Sequence, residues 1–330
     1  MMALLACAAV TLWLWLVEGS SLPTPPRDSM LELKDIPFDG QQAYAYLERL
    51  CEFGPRPAGS QAMREQQKYL IEHFRNLGAQ VTLQEFTVRH PVQHKRVTLA
   101  NLLIEWHPEA QERILLCAHY DTRPYPDQDP LRPRGRFVGA NDGASGTALL
   151  MELGRHMPAL AGALGVDFVL FDGEELVYSE RDSYFLGSTH FARQYARRRG
   201  PPRYRYGILL DMVGDAQLEL YQERHSVRWP DTRPLVDDLW ETARRLGVRE
   251  FIARPRHLIR DDHLPLHDIA GIATCNVIDF DYPHWHTERD LPEQCSALSL
   301  AKVGWVVHEW IQQTLANQGR LAAHAADQGP

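Results

Sequence analysis

The sequence predicts an α/β fold, a three-layer α/β/α sandwich around a mixed, largely parallel sheet. Segments with the periodicity of strands alternate with helical segments along most of the 330-residue chain. Several predicted strands are continuous apolar runs, which are typical of strands that are buried on both faces of a sheet. No linker-like stretch interrupts residues 37–315, so we expect a single domain there.

The predicted helices and strands alternate along most of the chain, as an α/β/α sandwich requires. Two helical patterns open the domain, and the helix-breaking sequence GPRPAGS separates them. Helices are predicted over residues 41–53, 61–78, 146–157, 187–198, 232–248 and 299–315. Strands are predicted over residues 81–88, 98–106, 113–121, 166–175, 205–215 and 272–280. We expect residues 316–330 to form a frayed tail.

The N-terminus is predicted to lie outside this domain. Residues 3–17 are apolar or small and carry no charged side chain, but they are fewer than the roughly 20 residues that a membrane-spanning helix needs. Their length fits the apolar region of a signal peptide over residues 1–19, with a tether over residues 20–36. We therefore expect an exported protein, periplasmic or secreted, with a retained N-terminal membrane anchor as the alternative.

Net charge and basic patterning argue against a nucleic-acid partner. The chain carries a formal net charge of −8, which disfavours a general nucleic-acid-binding role. Arginines cluster over residues 193–205, and we interpret that stretch as a helix C-terminus followed by a solvated loop. Beyond the possible N-terminal anchor, we expect no stable membrane partner.

Cysteine and histidine spacing disfavours two common kinds of zinc site. The cysteines after the leader are widely spaced and form no CxxC pair, so a cysteine-ligated zinc is not expected. His263 and His267 have the spacing of a metal-binding helix face, but no glutamate follows His263 and Pro265 lies between them. We interpret residues 261–268 as a loop that supports a pocket.

Polar side chains follow four of the predicted strands at the point where each strand ends. In an open α/β sheet, ligands bind at the carboxyl ends of the strands, so these side chains are expected to gather on one rim. A Gly-rich loop before the helix at 146–157 adds another carboxylate. The set comprises His119, Asp121, Asp142, Glu174, Glu175, Asp211, His284 and His286.

Carboxylates and imidazoles without thiolates suit a catalytic zinc site with an open position. The stretch VLFDGEEL, residues 169–176, delivers the adjacent Glu174 and Glu175 to this rim. A carboxylate beside a metal ligand can serve as general base or acid. One glutamate is therefore expected to bind the metal while its neighbour moves protons.

The motifs HYD, GANDGASG, FDGEE, LLDMVG and WHT, in this order, resemble those of the zinc aminopeptidase family that has a co-catalytic metal site. The resemblance extends over about residues 40–312, nearly the whole chain after the leader. Within that family, the segments RDSYFLGSTHFA, DDHLPLHDIAGIAT and PHWHT are most similar to the zinc-dependent glutaminyl-peptide cyclotransferases, especially the bacterial ones.

This resemblance implies an enzyme that cyclises the N-terminal glutamine of peptides or proteins to pyroglutamate and releases ammonia. It implies one zinc ion per chain, held by Asp142, Glu175 and His286. Glu174 would be the acid and base. The region 37–315 would then be one zinc-dependent catalytic domain.

The resemblance also implies residues around this centre. Asp211 and Asp262 would form a hydrogen-bonded carboxylate pair that helps to carry protons, and Trp285 would wall the substrate pocket. The animal cyclases carry a tryptophan in the loop after the glutamate pair, whereas this chain has none there. Tyr178 or Tyr184 is expected to take its place against the substrate.

Two alternatives stay open on the sequence. An aminopeptidase would bind two zinc ions on the same rim, and the first glutamate of the pair would activate a water molecule that attacks the peptide bond. A metal-free relative that serves protein interaction would have lost ligands, and none is lost here. Every ligand for the two-zinc site is present: His119 and Asp211 for the first ion, Asp142 as the bridge, and Glu175 and His286 for the second.

Overall fold

The computed structural model describes residues 29–160, 162, 164–200 and 202–327. The strands in these ranges are β1 (Gln80–Arg89), β2 (Arg96–Trp106), β3 (Glu112–His119), β4 (Gly165–Phe171), β5 (Arg203–Asp211), β6 (Leu220–Gln222), β7 (Phe251–Pro255) and β8 (Thr274–Ile278). The α-helices are α1 (Gly40–Glu52), α2 (Gln61–Asn76), α3 (Gly146–Gly154), α4 (Leu186–Ala196), α5 (Arg224–Arg228), α6 (Arg233–Leu246), α7 (His263–Asp268) and α8 (Ala297–Asp327).

Six strands form the main sheet, in the order β1-β2-β4-β3-β5-β8. The neighbours β4, β3, β5 and β8 run parallel to one another, whereas β1, β2 and β4 pair antiparallel. The predicted mixed, largely parallel sheet is thereby confirmed. Because β3, β4, β5 and β8 point the same way, their carboxyl ends share one edge of the sheet.

Helices cover both faces of the sheet, which explains the continuous apolar runs. In β3, Ile114 and Leu116 enter the larger core beneath α1, α3 and α8, whereas Leu115 and Cys117 enter a smaller core beneath α4 and α7. All four side chains are fully buried. A strand that supplies both cores has no solvent face, so its sequence shows no polar alternation.

The first and last helices of the domain lie side by side. Helix α8 packs along α1 and also contacts α3 and α6. The approach is close, because a Cβ atom on Gly40 would meet the backbone of Ala297, and one on Gly304 would meet the ring of Phe38. Glycine at these two positions lets the ends of the domain pack as one layer.

The structure contains elements that the sequence patterns did not predict. Strands β6 and β7 form a separate two-stranded parallel sheet, and α5 follows β6 directly. The interpretation of residues 261–268 as a loop was wrong, since α7 begins at His263. Pro265 lies in the first turn of that helix, where its missing N–H group is not needed.

The ends of the described chain are more ordered than the patterns suggested. The N–H and the Oγ of Ser29 both donate to Oε1 of Glu250 at 2.9 Å, and Ile36 is buried, so residues 29–36 pack on the domain. Helix α8 continues to Asp327, well past the predicted end at 315. The added residues are rich in alanine, the strongest helix former.

The predicted signal peptide or anchor and the first part of the tether, residues 1–28, lie outside the described residues. Within the described part of the chain, no helix is both long and apolar enough to span a bilayer.

A buried ion pair ties β3 to β4, and its loss is expected to destabilise the domain. Asp167→Ala should lower the free energy of unfolding by about 3–5 kcal/mol, because the cation would stay buried without its partner. The side chains of Arg113 and Asp167 are each 1% exposed, and Nε of Arg113 donates to Oδ2 of Asp167 at 2.7 Å. Urea unfolding measures the change. Glu241→Ala, which removes an exposed ion pair with Arg244, is the control. Equal effects of the two substitutions would contradict the prediction.

Candidate active site

The adjacent residues Glu174 and Glu175 lie on a turn that hydrogen bonds to Asp121 hold in place. Strand β4 ends at Phe171, and Gly173 turns the chain with φ of +74°. The backbone N–H groups of Glu174 and Glu175 each donate to the carboxylate of Asp121, at 3.1 Å. Because Asp121 follows the end of β3, the two neighbouring strands together fix the glutamate pair on the rim.

Three buried side chains converge as the resemblance implied. Nε2 of His286 lies 2.9 Å from Oε1 of Glu175 and 3.3 Å from Oδ2 of Asp142. Ligand atoms of a tetrahedral zinc with bonds of about 2.0–2.1 Å are themselves about 3.3 Å apart. These three residues, which lie together as a group that could hold a metal ion, therefore have a spacing that fits zinc.

A second group of possible ligands adjoins the first. Nε2 of His119 lies 3.1 Å from Oδ1 of Asp142 and 3.3 Å from Oδ1 of Asp211. The two oxygens of Asp142 thus face different histidines, His119 on one side and His286 on the other. This arrangement brings together all the side chains that a two-ion site would need.

Hydrogen bonds from outside the rim orient these ligands. The carboxylate of Asp290 accepts the backbone N–H groups of Asn141 and Asp142, at 2.8 and 3.1 Å, and also the hydroxyl of Tyr282. His286 has a left-handed backbone with φ of +53°, which is uncommon for a residue other than glycine. Such conformations persist where the surrounding structure fixes them, and they cluster at functional sites.

The buried carboxylates of the rim carry negative charge that a bound cation would neutralise. Asp142, Glu174, Glu175 and Asp211 are all buried, and burying ionised carboxylates is costly unless they are paired. Burial, and then the charge of Glu175, raises the pKa of Glu174 well above its usual range. Burial likewise raises the pKa of Asp211. Oxygen and nitrogen donors without sulfur, around an excess of negative charge, fit zinc.

Sequence reasoning missed two residues that contact this group. The backbone N–H of Arg123 donates to Oε2 of Glu175 at 2.9 Å, and its guanidinium lies 3.4 Å from Oε1. Asp127 approaches Nδ1 of His286 at 3.0 Å and pairs with Arg123 at 2.8 Å. The sequence could have indicated both residues, because they lie in the segment that follows the carboxyl end of β3, where site residues are expected.

The rim encloses a small inner cavity of about 80 Å³. Its lining includes the carboxylates Glu174, Glu175 and Asp211 and the aromatic residues Trp285 and Tyr184. The ring of Trp285 stacks on that of His286, with centroids 4.0 Å apart. A space of this size accommodates one short side chain beside the candidate metal ligands.

Of the two tyrosines considered for the substrate wall, the structure places only Tyr184 at the cavity. The hydroxyl of Tyr178 lies 3.2 Å from Nε2 of His90, and its ring packs edge-on against Tyr125. Tyr178 lines neither the inner cavity nor the wider one that adjoins it, whereas Tyr184 lines both. The loop after the glutamate pair therefore contributes Tyr184 to the wall.

Asp262 is buried next to the site, but its neighbour Asp261 lines the cavity. The Oγ of Ser188 donates to Oδ1 of Asp262, and Oδ2 of Asp262 has no hydrogen-bond partner among the described residues. Burial, and then the charge of Asp261, raises the pKa of Asp262 well above its usual range. Asp261 lines the inner cavity with Asp211. The pairing of Asp262 with Asp211 stays a prediction, and it needs one of the two carboxyls to be protonated.

Comparisons with known proteins agree with this geometry. The model of "Peptidase family M28" matches residues 101–311. The solved glutaminyl cyclase of Fimbriiglobus ruber is 39% identical, covers 88% of this chain and 98% of its own, and superposes with a TM-score of 0.80. A leucine aminopeptidase precursor from Bacteroides thetaiotaomicron is 30% identical over 83% of this chain and 97% of its own, with a TM-score of 0.77. The curated glutaminyl-peptide cyclotransferase of Bos taurus is 24% identical over 81% of this chain and 79% of its own.

Proposed function

Since this chain belongs to peptidase family M28, we propose that it acts as a zinc-dependent glutaminyl-peptide cyclotransferase. It would convert the N-terminal glutamine of a peptide or protein into pyroglutamate and release ammonia. The observation that carries the proposal is the 39% identity to a solved glutaminyl cyclase over 98% of that protein. The identity to a leucine aminopeptidase precursor is lower, at 30% over 97% of that chain.

The rim residues divide into a metal-holding group and a proton carrier. Asp142, Glu175 and His286 would hold one zinc ion, which supplies Lewis-acid polarisation of the γ-carboxamide carbonyl when it is bound. Glu174 would accept a proton from the α-amine as that nitrogen bonds to the carbonyl carbon of the γ-carboxamide. The same carboxyl would then return the proton to the departing amide nitrogen, which leaves as ammonia. The raised pKa of Glu174 suits a group that both takes and gives a proton.

The cavity itself would contribute through positioning. The nucleophile and the carbon that it attacks belong to the same glutamine residue, so the site needs only to fold that residue into a ring-forming conformation. Trp285 and Tyr184 wall a space that leaves little room for water beside the substrate. Asp211 and Asp262 would stabilise the proton on Glu174, and Asp261 lines the cavity beside Asp211.

A two-zinc aminopeptidase is the second candidate, and one observation favours it. His119, Asp142 and Asp211 form a complete second group of ligands, with separations of 3.1 and 3.3 Å. In that case Glu174 would take a proton from a water molecule instead of an amine. The two functions therefore differ in nucleophile and zinc count.

We further propose that residues 37–315 are one catalytic domain and that the chain is exported. The apolar stretch at 3–17 supports export, with residues 1–19 as a signal peptide or an N-terminal anchor.

Matched peptides distinguish the two activities. We expect purified protein to release ammonia from a Gln-peptide, to leave the same peptide with an acetylated N-terminus unchanged, and to release no leucine from a Leu-peptide. The acetylated peptide is the control, because its nitrogen is no longer a nucleophile. Mass spectrometry of the intact protein should count one zinc ion per chain. Free leucine together with two zinc ions would identify the aminopeptidase instead.

A further inference from the structure

The inner cavity adjoins an outer cavity of about 390 Å³, and the two share several lining residues. Both cavities share Arg260, Tyr184 and Trp285 as lining residues, so these side chains stand at the junction between them. On the proposed function, the N-terminal glutamine fills the inner cavity. The residue that follows it must then leave through this junction, and its side chain meets the groups there.

The backbone on either side of Arg260 is held in place by buried neighbours, so the position of this residue at the junction is defined. Its neighbours Ile259 and Asp261 are 5% and 3% exposed, and the N–H of Ile259 donates to Oε1 of the buried Glu223 at 3.1 Å. The side chain of Arg260 is nevertheless exposed, and its guanidinium lies 5.8 Å from the ring centroid of Tyr184. The aromatic contact limits where the charge can point.

The other charges of the outer cavity are already paired or solvated. Arg123 pairs with Asp127 at 2.8 Å and lies 3.4 Å from Glu175, while Asp127 also approaches His286 at 3.0 Å. Glu180 is exposed to solvent, which screens its charge. Among the described residues that line this cavity, Arg260 is the cation without a carboxylate partner.

We propose that Arg260 selects substrates that carry aspartate or glutamate directly after the N-terminal glutamine. This inference rests on the proposed function and adds a substrate class to it. A guanidinium donates two parallel hydrogen bonds to a carboxylate, a geometry that lysine or an amide does not reproduce. A lysine at the same substrate position would instead meet a like charge.

Three peptides that differ only at the second position test the proposal. We expect the kcat/KM of the wild type to be about tenfold higher for Gln-Glu than for Gln-Lys peptides, with Gln-Gln between them. Arg260→Gln should bring the three values within about twofold, and Arg260→Glu should reverse the order. Added salt should reduce the preference of the wild type, because charges at an exposed rim are screened.

Arg197→Gln is the matched control, since Arg197 is exposed after the end of α4, near the start of β5 and away from the rim. It should keep the wild-type ratio. Equal rates of ammonia release from all three peptides, or a ratio that survives in Arg260→Gln, would overturn the role of Arg260 and leave the cyclase proposal standing. Absence of ammonia from every peptide would overturn the cyclase proposal itself, and this inference with it.

Discussion

Glu174→Gln is expected to lower kcat for a Gln-peptide by about a hundredfold to ten-thousandfold, the range that a single proton carrier contributes. The amide has nearly the size and shape of the carboxyl but neither accepts nor returns a proton at neutral pH. Zinc content should stay at the wild-type value if the ion is held by Asp142, Glu175 and His286, whereas an ion held by the group His119, Glu174 and Glu175 would be lost. The fold should also persist, since replacing one of several clustered carboxylates relieves repulsion.

The measurement is steady-state ammonia release, with zinc counted on the same samples. Glu72→Gln, a change of the same kind on the exposed side of α2, controls for loss of a negative charge. Near-normal turnover of Glu174→Gln would remove Glu174 from the mechanism. Loss of zinc in that variant would assign it to the metal instead.

Glu175→Gln is expected to lose the metal, and activity with it. Its carboxylate approaches Nε2 of His286 at 2.9 Å and accepts the N–H of Arg123, so the neutral amide removes the charge that offsets the ion. Changing residues that merely support a ligand typically weakens metal binding about tenfold to a hundredfold, and a lost ligand should exceed that range. We expect zinc below one ion per ten chains after dialysis, an order-of-magnitude figure that follows from such weakening.

Thermal unfolding gives a second readout for this variant. Adding excess zinc to wild-type protein from which a chelator has removed the metal should raise the midpoint temperature of unfolding. An ion that binds only the folded state stabilises that state. The same addition should change the midpoint of Glu175→Gln much less. His286→Ala should behave like Glu175→Gln, whereas stoichiometric zinc in either variant would reverse the roles given to the glutamate pair.

The sequence predicted the main sheet and the metal rim because both follow from local patterns. Apolar runs such as 114–118 fill two cores and can be recognised without knowing their partners. Strand ends then place His119 and Glu175 at one edge by topology alone. Strand β6 was missed because it spans only three residues, and β7 because its five residues, FIARP, are mostly exposed and form no continuous apolar run.

Other features depend on contacts between distant segments, and the sequence could not supply these. Tyr178 and Tyr184 lie in one loop and are the same residue type, but His90, which follows the end of β1, contacts the hydroxyl of Tyr178, whereas Tyr184 lines the cavity. Asp261 and Asp262 are adjacent, and only the packing of α7 decides which carboxylate faces Asp211. Such choices are made by tertiary structure.

The side-by-side packing of α1 and α8 has a consequence for the order of folding. When α1 leaves the ribosome, its packing partner α8 is still unmade, and most of the domain must be synthesised first. Long sequence separation between contacting elements slows folding and prolongs the exposure of apolar surface. The nascent chain therefore cannot close its larger core until α8 has emerged.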